Sequence, residues 1–182
     1  MDRAAPDDDA SPVTIRAMEP SDAPGVSALI GSEGVFPGTL QMPDMAVASR
    51  VDLIQKIEPG TCRLVAEHGG RIVGSAGLHL VGNSMRRSHV RMLGIGIAGE
   101  WQGKGLGRQL MQRLIDWADN WASVLRIELV VHADNDHAIA LYRSMGFVEE
   151  GRHRAYAMKN GRYVDAICMA RLHPRPPALP AE

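Results

Sequence analysis

The chain has 182 residues, 45% of them hydrophobic and 23% charged, which suits one domain with an ordinary core and leaves too little for a second. Its formal net charge of −1 offers no bulk attraction to nucleic acid or to an anionic membrane, and no apolar run approaches the ~18 residues of a spanning helix. Cys62 and Cys168 stand alone in apolar runs, which excludes a disulfide framework and a CxxC metal site, and the N-terminus lacks a signal-type apolar stretch, so a cytoplasmic setting is expected.

Residues 1–12 are rich in Asp, Ala and Pro and are expected to be a disordered tail. A single domain is expected over residues 13–172, followed by a Pro-rich tail, 173–182, that is disordered or extended. Within the domain, residues 13–18 read as a strand, and Pro20-Ser21-Asp22 caps a short helix reaching about Ile30. Gly34, Pro37 and Gly38 break any period over residues 31–43, where Thr39-Leu40-Gln41-Met42-Pro43 is the least generic part. Asp44 is expected to cap a second helix that stops before Pro59-Gly60. Residues 61–67 and 71–80 form a strand hairpin through His68-Gly69-Gly70, and Arg86-Arg87-Ser88 leads into a central strand, 90–98. The next helix begins after Gly105 and sets Leu106, Leu110, Leu114, Trp117 and Trp121 on one stripe, with both tryptophans expected as core anchors. A strand at 127–131, a helix at 134–145 ending at Gly146, and two strands joined through Lys159-Asn160-Gly161 complete the order β-α-α-β-β-β-α-β-α-β-β.

Chemistry concentrates where the central strand meets its helix. Gln102-Gly103-Lys104-Gly105-Leu106-Gly107-Arg108 places three glycines at alternate positions before an amphipathic helix. Glycines let backbone N–H groups close on one anion, and the helix start adds unpaired donors and the positive end of its dipole. Each interior glycine costs roughly 1 kcal/mol relative to alanine, more than a bare connection requires. Lys104 and Arg108 add positive charge, so the segment reads as a phosphate cradle. It is not a Walker loop, because Gly107 is followed by Arg108-Gln109 and no hydroxyl is placed for magnesium. Gly94-Ile95-Gly96-Ile97-Ala98-Gly99 has dinucleotide-fold spacing, but helical periodicity starts too late for that fingerprint.

Gln102-Gly103-Lys104-Gly105-Leu106-Gly107 resembles the Gln/Arg-x-x-Gly-x-Gly/Ala pyrophosphate loop of the GNAT family of acetyl-coenzyme A dependent N-acetyltransferases. Asn135-Asp136-His137-Ala138, continuing to Tyr142-Arg143-Ser144-Met145-Gly146-Phe147, is similar to the family's Asn-x-x-Ala and Tyr-x-x-x-Gly-Phe segment. The resemblance covers residues 13–172 and implies an α/β GNAT acyl-CoA N-acyltransferase fold, with a mixed central sheet of six to seven strands flanked by about four helices. It implies acetyl-CoA as cosubstrate, its pyrophosphate on residues 102–108 and its pantetheine along Ile95, Gly96 and Ile97. Asn135 would cap a helix and also bond the pantetheine arm, and Tyr142 would face the coenzyme sulfur and help the thiolate leave. A homodimer is compatible with the resemblance.

The acceptor side is less legible. Many family members carry an acid on the central strand, whereas residues 90–98 contain none, leaving the general base unassigned among His79, His89 and a water chain. Thr39, Gln41, His79, His89 and Arg91 are expected on the acceptor side. A site without a strong base suits α-amines, since neutralising one of pKa near 8 at pH 7 costs about 1.4 kcal/mol against about 4.6 for an ε-amine. Residues 39–43, 86–90, 119–121, 126–129 and 159–166 also resemble a bacterial branch acetylating free L-amino acids such as phenylalanine or methionine. Two alternatives stay open: transfer to a protein N-terminus or lysine, and a non-catalytic coenzyme-binding module. The run His132 to His137 invites a metal, but its side chains diverge around a strand-to-helix turn, so no metal is expected.

Overall fold

The computed structural model describes residues 11–42, 45–55, 58–82 and 84–178. The expected cap Asp44, with Pro43, residues 1–10 of the N-terminal tail and 179–182 of the C-terminal tail, lies outside those residues. Among the described residues, seven strands form one sheet in the order β1-β2-β3-β4-β5-β7-β6, flanked by four α-helices. The strands are β1 (Thr14–Ala17), β2 (Cys62–His68), β3 (Arg71–Leu80), β4 (Val90–Ile97), β5 (Arg126–His132), β6 (Val148–Lys159) and β7 (Arg162–Leu172). The helices are α1 (Ala23–Ile30), α2 (Val47–Gln55), α3 (Leu106–Asn120) and α4 (Asp136–Ser144). Both expected hairpin turns form, with Gly69 and Gly70, then Asn160 and Gly161, at positive φ, which tight two-residue connections require.

Every neighbouring pair is antiparallel except β4 and β5. That parallel pair is short: Val90, Arg91 and Met92 face Arg126, Ile127 and Glu128, and then the strands part. From Leu93 onward β4 stays on β3, and from Leu129 onward β5 stays on β7, so the sheet opens into a fork. Helix α3 covers the sheet below this fork. Its buried stripe is Leu106, Leu110, Met111, Leu114 and Ala118, each large member contributing about 1.5–3 kcal/mol by leaving water. Gly74 lets it come close, because a Cβ there would stand 3.2 Å from Leu110 Cδ1 and 3.1 Å from Ile97 Cδ1.

The tryptophan expectation is corrected in part. Trp117 packs against the core, but Trp121 is 77% exposed. Helix α3 ends at Asn120, and at the C-cap the backbone of Trp121 turns to φ −130°, which takes its side chain off the helical stripe. At the C-terminal side, order continues through His173, whose backbone N–H donates to the Leu125 carbonyl and whose ring lies 3.1 Å from the Asp119 carbonyl.

Candidate active site

The fork exposes the backbone of β4. The Ala98 N–H donates to the Val73 carbonyl, and antiparallel pairs alternate between bonded and non-bonded. By that alternation Gly96 and Gly94 turn their N–H and C=O toward β3, and Leu93, Ile95 and Ile97 turn theirs toward the fork. Gln102 takes the Ile97 carbonyl at 2.9 Å and the Gly34 carbonyl at 2.9 Å, so its amide ties the 31–42 segment to the end of β4. Gly96 therefore acts differently from its neighbours. A Cβ on it would stand 2.9 Å from Val35 Cγ1, so its lack of a side chain seats the buried Val35 over β4.

The loop after β4 is a cradle in geometry as well as in sequence. Gly103 and Gly105 sit at φ +72° and +83°, a left-handed backbone that glycine adopts without cost, and nothing lies within 4 Å of either Cβ position. Gln109 N–H is accepted by Gly105 O at 3.1 Å, so the donors of Leu106, Gly107 and Arg108 lack intrahelical acceptors and point out of the first turn. Lys104 Nζ lies 5.1 Å from the Trp101 ring centre, and Arg108 bonds Ser144 Oγ at 2.9 Å, which joins the start of α3 to the end of α4. Gly107 makes that junction close, its Cβ position being 3.2 Å from Leu141 Cδ2. An open ring of N–H donors flanked by two cations fits a pyrophosphate, and the unpaired edge of β4 fits an extended amide chain.

Across the fork, Asn135 accepts from the Ala138 N–H at 3.1 Å and caps α4. Its Nδ2 lies 4.0 Å from the Cβ position of Gly38, so the turn at Phe36–Gly38 passes beside it. Tyr142 is 8% exposed and stacks obliquely on Phe147, with ring centres 5.9 Å apart. Burial alone pushes its phenol up to about 12. The His132–His137 run does not converge: His132 is buried, Asp134 pairs with Lys159 at 2.7 Å and His137 is exposed. Among the described residues no group of three or more His, Cys, Asp or Glu is placed to hold a metal ion.

A second space opens on the opposite face of β3 and β4 from α3. This cavity of about 290 Å³ is walled by α1, α2 and the 31–42 segment and floored by Ser75, Gly77, Gly94 and Gly96. Thr39, Gln41 and His79 line it. His89 and Arg91 are not brought there. His89 is exposed in the turn before β4, while the Arg91 guanidinium is buried on the carbonyls of Gly60 (2.7 Å), Ser88 (2.7 Å) and Val90 (2.8 Å), where it ties the α2–β2 loop to β4. Sequence reading missed Arg63, a half-buried cation on the cavity wall that donates to the Ile54 carbonyl at 2.5 Å. The available signal was an arginine opposite Gly77 in the otherwise apolar inner part of the β2–β3 hairpin.

An open N–H loop that fits a phosphate, a strand edge beside it and an adjoining cavity are compatible with a transferase that takes a nucleotide-bearing donor and a small acceptor. A model of the Acetyltransferase (GNAT) family matches residues 36–147, and the chain belongs to that family. It is an acetyl-CoA dependent N-acetyltransferase. It is 37% identical to the L-amino acid N-acetyltransferase AaaT of Escherichia coli K12, over 89% of this chain and 99% of that protein. Identity to the N-alpha-acetyltransferase RimI of Mycobacterium tuberculosis is 33%, over 90% and 94%. A crystal structure of Vibrio cholerae spermidine N-acetyltransferase in complex with CoA and spermine superposes with a TM-score of 0.76, at 28% identity, over 88% and 95% of the two chains.

Proposed function

We propose that the chain acetylates the α-amine of a free L-amino acid by direct attack within a ternary complex. The observation that carries the proposal is the charge of the acceptor cavity. Its described lining residues include one permanent cation, Arg63, and no carboxylate. Such a wall attracts an acceptor that bears its own carboxylate and disfavours a polycation. The volume, about 290 Å³, sits at the lower end of small-molecule pockets, roughly 300–1,000 Å³. Burial lowers the pKa of Arg63, with Glu58 opposing, and a guanidinium on the wall offers a carboxylate a charge-assisted hydrogen bond. The similarity to an L-amino acid N-acetyltransferase supports the same reading.

In this reading the backbone donors of Leu106, Gly107 and Arg108, with Gly103, Lys104 and Gly105, hold the pyrophosphate, and Ile95, Ile97 and the Nδ2 of Asn135 bond the pantetheine. A β4 N–H polarises the carbonyl under attack. Tyr142 acts as a neutral donor. Full transfer from a phenol near 12 to a thiolate near 8.5 is uphill by ~5 kcal/mol, so hydrogen bonding to the departing sulfur is the easier role. The free cysteines go with direct transfer, since burial raises both thiols and neither lines the cavity.

A cytoplasmic setting, where free thiols persist, and a homodimer belong to the same reading. Exposed Val148, Met158 and Tyr163 on the β6–β7 edge hairpin support the dimer, which light scattering on the eluted protein would measure. The functional test is thiol release from acetyl-CoA with L-methionine, L-phenylalanine, spermidine and an alanyl peptide. Turnover confined to the amino acids is expected. Arg63→Gln should raise the KM for L-methionine about tenfold or more while barely changing that for the same amine without its carboxylate. Equal effects on both acceptors would remove the carboxylate-anchor role.

A further inference from the structure

We propose that His79 is the general base of the transfer, accepting the proton of the acceptor amine on Nε2; this rests on the acceptor cavity being the one described above. Neither β4 nor the described cavity lining carries an acid, so the side chains of this wall that titrate are Arg63 and His79. A guanidinium cannot accept a proton near neutral pH, which leaves the imidazole.

Geometry places the ring where the chemistry needs it. His79 pairs with Met92 across β3 and β4, so its side chain stands on the cavity face beside Gly94. The ring folds back along the sheet: Nε2 lies 2.8 Å from the position a Cβ of Gly77 would take and 3.9 Å from that of Gly94. Two glycines facing each other across β3 and β4 thus make the berth of one imidazole. Any side chain at residue 77 would displace it. His79, Gly77 and Gly94 all line the cavity, and Gly94 is followed by Ile95, whose backbone opens onto the fork, so Nε2 lies beside the stretch of β4 where the thioester is expected.

The charged groups that face the ring are Arg63 on β2 and Glu58 in the α2–β2 loop. Although His79 is exposed over much of its surface, crowding of the ring against the sheet lowers its pKa below 6.5, Arg63 lowers it further and Glu58 opposes both. A lowered pKa keeps the imidazole neutral at physiological pH, and only the neutral form accepts a proton. The acceptor's ammonium gives one proton to Nε2, and the amine lone pair forms the C–N bond. The C–S bond breaks, its electron pair going to sulfur, and the second N–H proton ends on the thiolate. The imidazolium then releases its proton to solvent. The base also selects among amines. An unperturbed imidazole takes a proton from an α-amine against an equilibrium factor of about 30, and from an ε-amine against one of about 8,000.

The full-length enzyme, His79→Gln and His79→Ala would be compared in steady state from pH 5 to 9, on whichever of L-methionine, L-phenylalanine, spermidine or the alanyl peptide the wild type turns over. CoA binding would be titrated separately as the folding control. Expected is a loss of kcat by roughly 100-fold in both variants, CoA affinity within about twofold, loss of the acid limb that the wild type shows below pH ~6.5, and partial rescue of His79→Ala by added imidazole. Retention of kcat within about threefold with the wild-type acid limb would overturn the assignment, as would a rise in KM alone. Wild-type turnover of spermidine or the peptide only would overturn the amino-acid reading while leaving the His79 comparison decisive. Coenzyme binding with no turnover of any acceptor would overturn both.

Discussion

The two sides of the β4–β5 fork are built from different material. In the proposed reading the coenzyme side is mostly backbone: the Leu93, Ile95 and Ile97 edge, the donors of residues 106–108, and glycines at positive φ that aim them. The proposed acceptor side is a cavity lined mostly by side chains from α1, α2, β2, β3 and the 31–42 segment. A backbone site tolerates many substitutions but not the loss of a special conformation. A side-chain site can be respecified one residue at a time, and the similar proteins carry different names, among them an L-amino acid N-acetyltransferase and a spermidine N-acetyltransferase.

Three substitutions would break or sharpen this contrast. Tyr142→Phe is the exception on the coenzyme side, the one place where a side-chain atom is asked to act on the leaving group. It should lower kcat about 100-fold, with CoA affinity unchanged in an equilibrium titration. An effect on affinity instead would make Tyr142 a packing residue. Gly105→Val tests the backbone claim directly. Forcing a β-branched residue to φ +83° strains the loop by about 2 kcal/mol, so CoA should bind roughly 30-fold more weakly while the amino-acid KM at saturating coenzyme holds. Gln102→Ala removes the brace between the sides. Two hydrogen bonds are lost, to Gly34 O and Ile97 O, and about 1 kcal/mol of ordering goes with them. Acceptor KM should rise about fivefold with little change in CoA binding; the reverse pattern would place Gln102 on the coenzyme side.

The same contrast explains what could be read early. Gln102 to Arg108 and Asn135 were legible because a special backbone needs particular residues at fixed local spacing, whereas Tyr142 was picked out only by the family resemblance. Asn135 then caps α4 as expected, and the glycine loop opens as expected. His79 was legible only as one of two equal histidines, since nothing local distinguishes it from His89. Arg91 looked available because its three carbonyl partners belong partly to the distant Gly60. Trp121 fitted the helical stripe by spacing, but the helix stops one residue before it.

The sequence by itself determined the element order, the two hairpin turns, the amphipathic face of α3 and the glycine loop before it, all of which depend on contacts within a few residues. Only the tertiary structure decided where β4 and β5 part, that Gly77 and Gly94 together house the His79 ring, and that Arg63 reaches the acceptor wall while Arg91 is consumed by carbonyls. Those outcomes depend on register between strands and on packing across layers, where a residue's neighbours are far away along the chain and no local spacing encodes them.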